Sequence, residues 1–347
     1  MKRLRAASIV PFACALLLCA AAGCDGGETP PAAEAAFKVA LLSPGPVSDA
    51  GWNALAYEGL LAIRDQLGAE VSQVETKTPA DFEEGFRDYA RRGFHLVFGH
   101  GFEFQEAAAA VAPEFPATVF ITTSGNTVRD NVAPLRFMLE EATYLAGMLA
   151  GLMSKSGVAG AVGGMAIPSV ESTLLAFEAG ALAVRPDFKV IKSYIGNWDD
   201  VGAAKEAAAA QIQQGADFVI HNADAAGLGV FQAAQSRGQA AQSRGQAAQA
   251  PGVLAFGTNK NQNEIAPDVI LASAVIDIPS AFLRVAQEVK DKRFRAGITR
   301  LGMADGVITF VVNPALRDRI PADAMARVDT VRAAIAAGTL AVPSSEF

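Results

Sequence analysis

The chain has 347 residues, 51% of them apolar, a formal charge of −7, three histidines and three cysteines. Such an acidic chain, with no basic cluster, argues against a nucleic-acid partner. It is also too long for one ordinary core, so two domains are expected.

The first segment, MKRLRAASIVPFACALLLCAAAGC, places Lys2, Arg3 and Arg5 before a short apolar run and a small-residue ending. It reads as a secretory signal over 1–23, too short and wrongly flanked to span a membrane. The ending Ala21-Ala22-Gly23-Cys24 resembles a bacterial lipobox, although alanine stands where leucine is commoner. That resemblance implies a lipidated Cys24, with plain cleavage nearby as the alternative. All three cysteines (Cys14, Cys19, Cys24) lie in this segment, so the mature body has no disulfide and no thiol chemistry. Losing three cations takes the charge from −7 to −10. Residues 24–36 read as a flexible tether. Two acyl chains suffice for stable attachment, so the expected location is extracytoplasmic, on the membrane through a lipid anchor.

Beyond the tether, short apolar runs alternate with helical patterns. FKVALLS (37–43) leads into a helix over 50–67, where Ala56, Leu60, Ile63 and Leu67 fall at helical spacing and Gly68 supplies the stop. EVSQVET (70–76) precedes a helix opened by Thr78 and Pro79. HLVFGHG (95–101), ATVFITT (117–123) and PLRFML (134–139) are further strands, the last followed by a Gly/Ala/Leu helix to Lys155. The alternation restarts at VAGAVGGM (158–165), followed by a helix over 169–185. KVIKSYIG, a helix over 200–214, DFVIHNA and a helix from about 226 come next. VLAFGT, VILASAVI and a helix near 280–291 complete the pattern.

Such alternation implies βαβ units around parallel sheets buried on both faces. Two runs imply an α/β protein of two doubly wound lobes. We expect lobe 1 over 37–137 and 258–297, and lobe 2 over 138–257 and 298–347. Ligands in such sheets bind beyond the carboxyl ends of the strands, so chemistry belongs in the loops after Ser43, Gly99, Ala223 and Gly257. The tandem AAQSRGQ at 233–239 and 240–246 lacks large apolar heptad positions. It reads as a duplication that lengthens an exposed helix end.

His95, His100 and His221 have no partner at metal-ligand spacing. No nucleophile motif, phosphate loop or dinucleotide fingerprint appears, so no catalytic residue, metal or cofactor is expected. The candidate binding residues are aromatic and polar groups in the cleft loops. VSDAGWNALAYEGL offers Asp49, Trp52 and Asn53, more than a helix start requires. FGHGFEF adds Phe102, placed to face Trp52 across a flat ligand or simply to pack. NWDD and HNADAAG add Trp198, Asn222 and Asp224, with Asp199 the expected helix cap.

In their order and spacing, SDAGWNALAYEGL, GHGFEF, GGMAIPSVESTLLAFEAG, IGNWDDVGAAKEAAAAQIQQGADFVIHNADAAGLGVFQAAQ and AFGTNKNQ resemble the basic membrane protein family from Phe37 to the C-terminus. These are substrate-binding lipoproteins of ABC importers, several of them for purine nucleosides. The resemblance implies a type I periplasmic binding fold and an ABC permease as partner. It also implies a flat small-molecule ligand held by Asp49, Trp52, Asn53 and Phe102. Two positions depart from the ribose-gripping pattern: Asn259 replaces an aspartate and Ile276 replaces a lysine. Asn with Ile cannot make the charge-assisted grip of an Asp–Lys pair. Asp224 also stands in a loop that is glycine-rich in many members. The ligand is then a purine nucleoside, a nucleobase or another flat heterocycle. A ligand-sensing lipoprotein that reports to a membrane signalling partner needs the same cleft and stays open as the alternative.

Overall fold

A computed structural model describes residues 36–49, 51–243 and 252–345, with backbone alone from 238 to 243. The signal segment, Cys24 and nearly all of the tether lie outside the described residues, as does the end of the second AAQSRGQ copy.

The first sheet forms because short apolar strands feed helices that fold back across them. In chain order, β1 (Lys38–Ser43), α1 (Trp52–Leu67), β2 (Glu70–Glu75), α2 (Pro79–Arg91), β3 (Leu96–Gly99), α3 (Gln105–Val111), β4 (Val119–Thr123) and β5 (Val132–Phe137) alternate as expected. α2 starts on a full capping box: the Asp81 amide donates to Thr78 Oγ1, and the Thr78 amide donates to the Asp81 carboxylate at 2.9 Å. In α1, Ala56, Leu60 and Ile63 are fully buried against the sheet.

The second sheet is built from β6 (Val158–Gly163), β7 (Lys189–Tyr194), β8 (Phe218–Asn222), β9 (Leu254–Asn259) and β10 (Ile270–Ile276). These alternate with α5 (Pro168–Val184), α6 (Val201–Gln213) and α7 (Leu228–Ser243), after α4 (Glu140–Met153). The chain ends with α8 (Ile278–Lys290), β11 (Thr299–Leu301), β12 (Ile308–Val312) and α9 (Ala322–Ala336). The strand orders are β11-β5-β4-β3-β1-β2 and β12-β10-β9-β8-β6-β7. Every pairing is parallel except β10 with β12. β3, β8 and β9 are buried along their whole length, as strands covered on both faces must be. The edge strands β2 and β7 are exposed and carry Glu70, Glu75, Lys189 and Lys192, charges that discourage pairing with another chain.

The chain moves between the two sheets at three places. It leaves the first sheet after Phe137 and returns at Asp277, where α8 packs on α1. It then crosses a last time between β11 and β12. The second and third crossings differ from the expected boundaries at 258 and 298. β10 stays with β9, pairing from Ala255 opposite Ile270 to Asn259 opposite Val275 with one irregularity between Ile270 and Ala272. β11 adds to the first sheet by pairing with β5. α4 and α5 cross at near contact, because a side chain on Gly147 would strike the Phe177 carbonyl and one on Gly180 the Tyr144 carbonyl. The main apolar core runs through both lobes, and smaller cores cover the outer face of each sheet.

Candidate functional site

The carboxyl ends of both sheets meet around one cleft. From the first lobe it is lined by Pro44 after β1, Gly101, Phe102 and Glu103 after β3, Ser124 after β4 and Phe137 at the end of β5. From the second lobe come Trp198 after β7, Asn222 and Asp224 after β8, Asn259 ending β9 and Ile276 ending β10. The first turns of α5 add Ser169, Val170 and Thr173. The cleft has about 540 Å³ of atom-free space, part of it open to solvent.

Trp52 opens α1. One face of its indole stacks on His100, with centroids 4.1 Å apart and planes at 21°, and Phe137 meets it edge-on at 6.0 Å. His100 is fully buried, and its Nε2 lies 3.0 Å from the Trp52 carbonyl oxygen. Nδ1 lies 3.3 Å from Thr123 Oγ1. This network assigns a neutral ring that donates from Nε2 and accepts at Nδ1. Burial lowers the pKa of His100 from 6.5 to about 3. The histidine thus acts as a fixed neutral plate behind Trp52. Trp52 and Phe102 line the same cavity, and among the described residues no ring contact joins them.

Asp49 and Asn53 stand behind this wall, outside the lining. The Asp49 carboxylate accepts from the amides of Gly51, Asn53 and Ala54 at 3.0, 2.8 and 2.9 Å, and from Asn53 Nδ2 at 3.0 Å. It occupies the start of α1, where Gly51 brings no side-chain cap, and a negative charge there complements the helix dipole. Asn53 Oδ1 is buried without a partner.

Trp198 enters from the second lobe and packs against Gly164, where any side chain would strike its ring. Its carbonyl accepts from the Ala226 amide at 3.0 Å, which ties this loop to the one carrying Asp224. Asp200, not Asp199, caps α6, by accepting from the Ala203 amide at 2.9 Å. The Asn197 side chain folds the preceding turn by accepting from both the Asp199 and Asp200 amides, and so selects the later residue.

The second-lobe polar groups form a chain. Asn222 Nδ2 donates to Thr173 Oγ1 at 2.9 Å, while Asn259 Nδ2 makes long contacts to Asn222 Oδ1 (3.5 Å) and Asp224 Oδ1 (3.4 Å). The amide at 259 and the acid at 224 are therefore linked, since a second acid at 259 would face Asp224 directly. Burial, with repulsion from Asp49 and Glu103, pushes the Asp224 carboxyl well above its ordinary range. Burial also raises Glu103. Glu103 was not singled out in the sequence, although it sits between the two phenylalanines of FGHGFEF. Thr173 and Ser124 carry no sequence signal that would have found them.

Strain marks the same place. Four non-glycine residues among those described have left-handed backbones, and three of them (Ser124, Asp224 and Asn259) line the cleft. Such conformations persist where surrounding structure over-determines them, and they concentrate at ligand sites. Among the described residues no three His, Cys, Asp or Glu side chains gather as a metal site.

Comparison with known proteins follows this geometry. The family model described as "ABC transporter substrate-binding protein PnrA-like" (Bmp) matches residues 36–345. A purine-binding protein of Brucella abortus is 29% identical over 282 residues, covering 80% of this chain and 75% of that protein. An ABC transporter nucleoside-binding protein, BmpA, of Lactococcus lactis subsp. cremoris is 26% identical over 360 residues, covering 99% of each. In structure, the chain resembles an ABC transporter solute-binding protein from Aeropyrum pernix K1 with a TM-score of 0.79. That likeness covers 90% of this chain and 94% of the other at 22% identity, and it places the fold among type I periplasmic binding proteins.

Proposed function

The chain belongs to the Bmp family of ABC transporter substrate-binding proteins, and from that premise we propose that it captures a flat heterocyclic metabolite between its lobes for import. A purine nucleoside or nucleobase fits the reading best. The observation that carries it is the cleft itself, where Trp52 and Phe102 from one lobe and Trp198 from the other border one cavity at the strand ends. Aromatic faces grip any flat π system, and the polar chain of Thr173, Asn222, Asp224 and Asn259 supplies the directional contacts. Asp49 and Asn53 act behind the ligand by holding the start of α1 and hence Trp52. Closure of the lobes would bury the ligand and present one shape to a permease.

The anchor belongs to the same proposal. Lipidation of Cys24 would keep the protein at the extracytoplasmic membrane face, and among the described residues no helix is long and apolar enough to cross a membrane. Mass spectrometry of small molecules released from natively purified protein, followed by calorimetry on the hits, tests the ligand class. A flat heterocycle with micromolar or tighter affinity is expected. A sugar or peptide in its place would overturn the reading.

A further inference from the structure

We propose that the cleft is built for a positively charged ligand, a heteroaromatic cation whose charge lies between the carboxyl groups of Glu103 and Asp224 and against the faces of Trp52, Phe102 and Trp198. This rests on the reading that the cleft holds a flat heterocycle and adds the charge of that heterocycle.

The first ground is the charge inventory of the wall. Two acids line the cleft, Glu103 from the first lobe and Asp224 from the second, and no lysine, arginine or histidine lines it. The adjacent cation, Lys260, is turned to Glu58 at 2.6 Å. Asp49 adds a third carboxylate close behind, already saturated by four donors. Among the described residues no cation pairs with either acid at the wall. Asp224 is only 7% exposed, and its side-chain contact is the long one from Asn259 Nδ2. The Glu103 carboxyl folds back over Gly101 and its own backbone amide.

The second ground is that the starts of α1 and α5, both at the cleft, offer few amides to an anion, although helix starts are the usual anion sites. The Asn53 and Ala54 amides of α1 are taken by Asp49. α5 opens on Pro168, which has no N–H, and beyond Ser169 the amides of Val170 and Glu171 both donate to the Ile167 carbonyl. Buried carboxylates without a counter-charge are costly, and a cation over an aromatic face is favoured, more so when desolvated. A cationic ring satisfies both demands at once, whereas a neutral ring leaves the two acids facing each other across the cleft. Asp224 takes a left-handed backbone (φ 46°), which fixes the direction from which this acid meets the cleft.

The test is calorimetry on the ligand-stripped protein with matched pairs that differ in charge but hardly in outline. Adenosine is compared with 1-methyladenosine, cationic at neutral pH, and nicotinamide with 1-methylnicotinamide. The cation of a pair that binds should be at least tenfold tighter than its neutral partner. Glu103→Gln and Asp224→Asn, the latter tolerant of the left-handed backbone, should each cut that ratio at least fivefold. Binding of 1-methylnicotinamide over nicotinamide with no purine binding would sink the purine reading and leave the charge inference standing. Equal or tighter binding of the neutral member in every pair that binds overturns the inference. An unchanged ratio in both variants does so too.

Discussion

Trp52 shows how little of a site one residue decides alone. Its identity makes it an aromatic wall, but His100 behind it and Asp49 beneath it set where the wall stands. Trp52→Ala should weaken ligand binding by tenfold to a hundredfold, since stacking on one aromatic face contributes about 1–3 kcal/mol. Trp52→Phe should keep most of the affinity. Equal affinity of the alanine variant for the identified ligand would make Trp52 a packing residue. His100 gives a pH test. Its folded pKa of about 3 lies below the ordinary 6.5, so between those values the unfolded chain holds a proton that the folded chain excludes. The stability this contributes is full above pH 6.5 and is lost as pH falls toward 3. His221, lowered to about 4 by burial, acts in the same direction, while Glu140, raised to about 7, and Asp224 act in the opposite one. The readout is therefore a difference: His100→Asn should lose less of its denaturation midpoint than wild type between pH 7 and pH 5. An equal loss in both would show that His100 is not the excluded site. At this scale the sequence displays residue type and leaves role open. An acid and an amide beside Trp52 look alike whether they face a ligand or cap a helix, and only the direction of the Asp49 oxygens distinguishes them.

Elements were legible where burial was complete. Strands such as β3, β8 and β9 are continuous apolar runs because both faces are covered, and that pattern needs no tertiary knowledge. β11 escaped notice because its three residues, Thr299–Leu301, exist as a strand only by pairing with β5. β12 and α9 carry weak signals too: in β12 only Ile308 and Phe310 are buried, and in α9 only Ala324, Met325, Val328 and Ile335 are. The crossings were misplaced for a related reason, since which sheet accepts a strand is a matter of long-range register. Two predictions belong here. Gly164→Ala should push Trp198 off its seat and weaken binding at least tenfold with little change in thermal midpoint; unchanged affinity would mean that the Trp198 loop can shift freely. α7 starts beside Asp224 and carries the first AAQSRGQ copy away from the cleft. Deleting residues 240–246 should leave affinity unchanged within error, and a tenfold loss would show that the duplication influences the cleft.

At the scale of the whole molecule, the proposed function has the two lobes separate to release ligand. Outside the cleft, Lys260, just past β9 in the second lobe, reaches Glu58 on α1 in the first at 2.6 Å. Both side chains are partly exposed, 35% and 47%, so screening and side-chain entropy hold the pair to about 1 kcal/mol at most. Its place gives that small energy a specific effect. Moving the lobes apart breaks the pair, while the interior of either lobe is untouched. Lys260→Ala should therefore leave the thermal midpoint of the empty protein nearly unchanged and raise the ligand Kd by up to about fivefold, mostly through faster release. Raising the salt from 0.05 to 0.5 M should cost wild type more affinity than the variant, by about the same factor, because salt screens an exposed pair that the variant no longer has. Glu58→Ala combined with Lys260→Ala should cost no more than either change alone, since each removes the same contact. Additive losses in that cycle, or a salt effect of the same size in wild type and Lys260→Ala, would show that closure is held by the cleft and its ligand without this bridge.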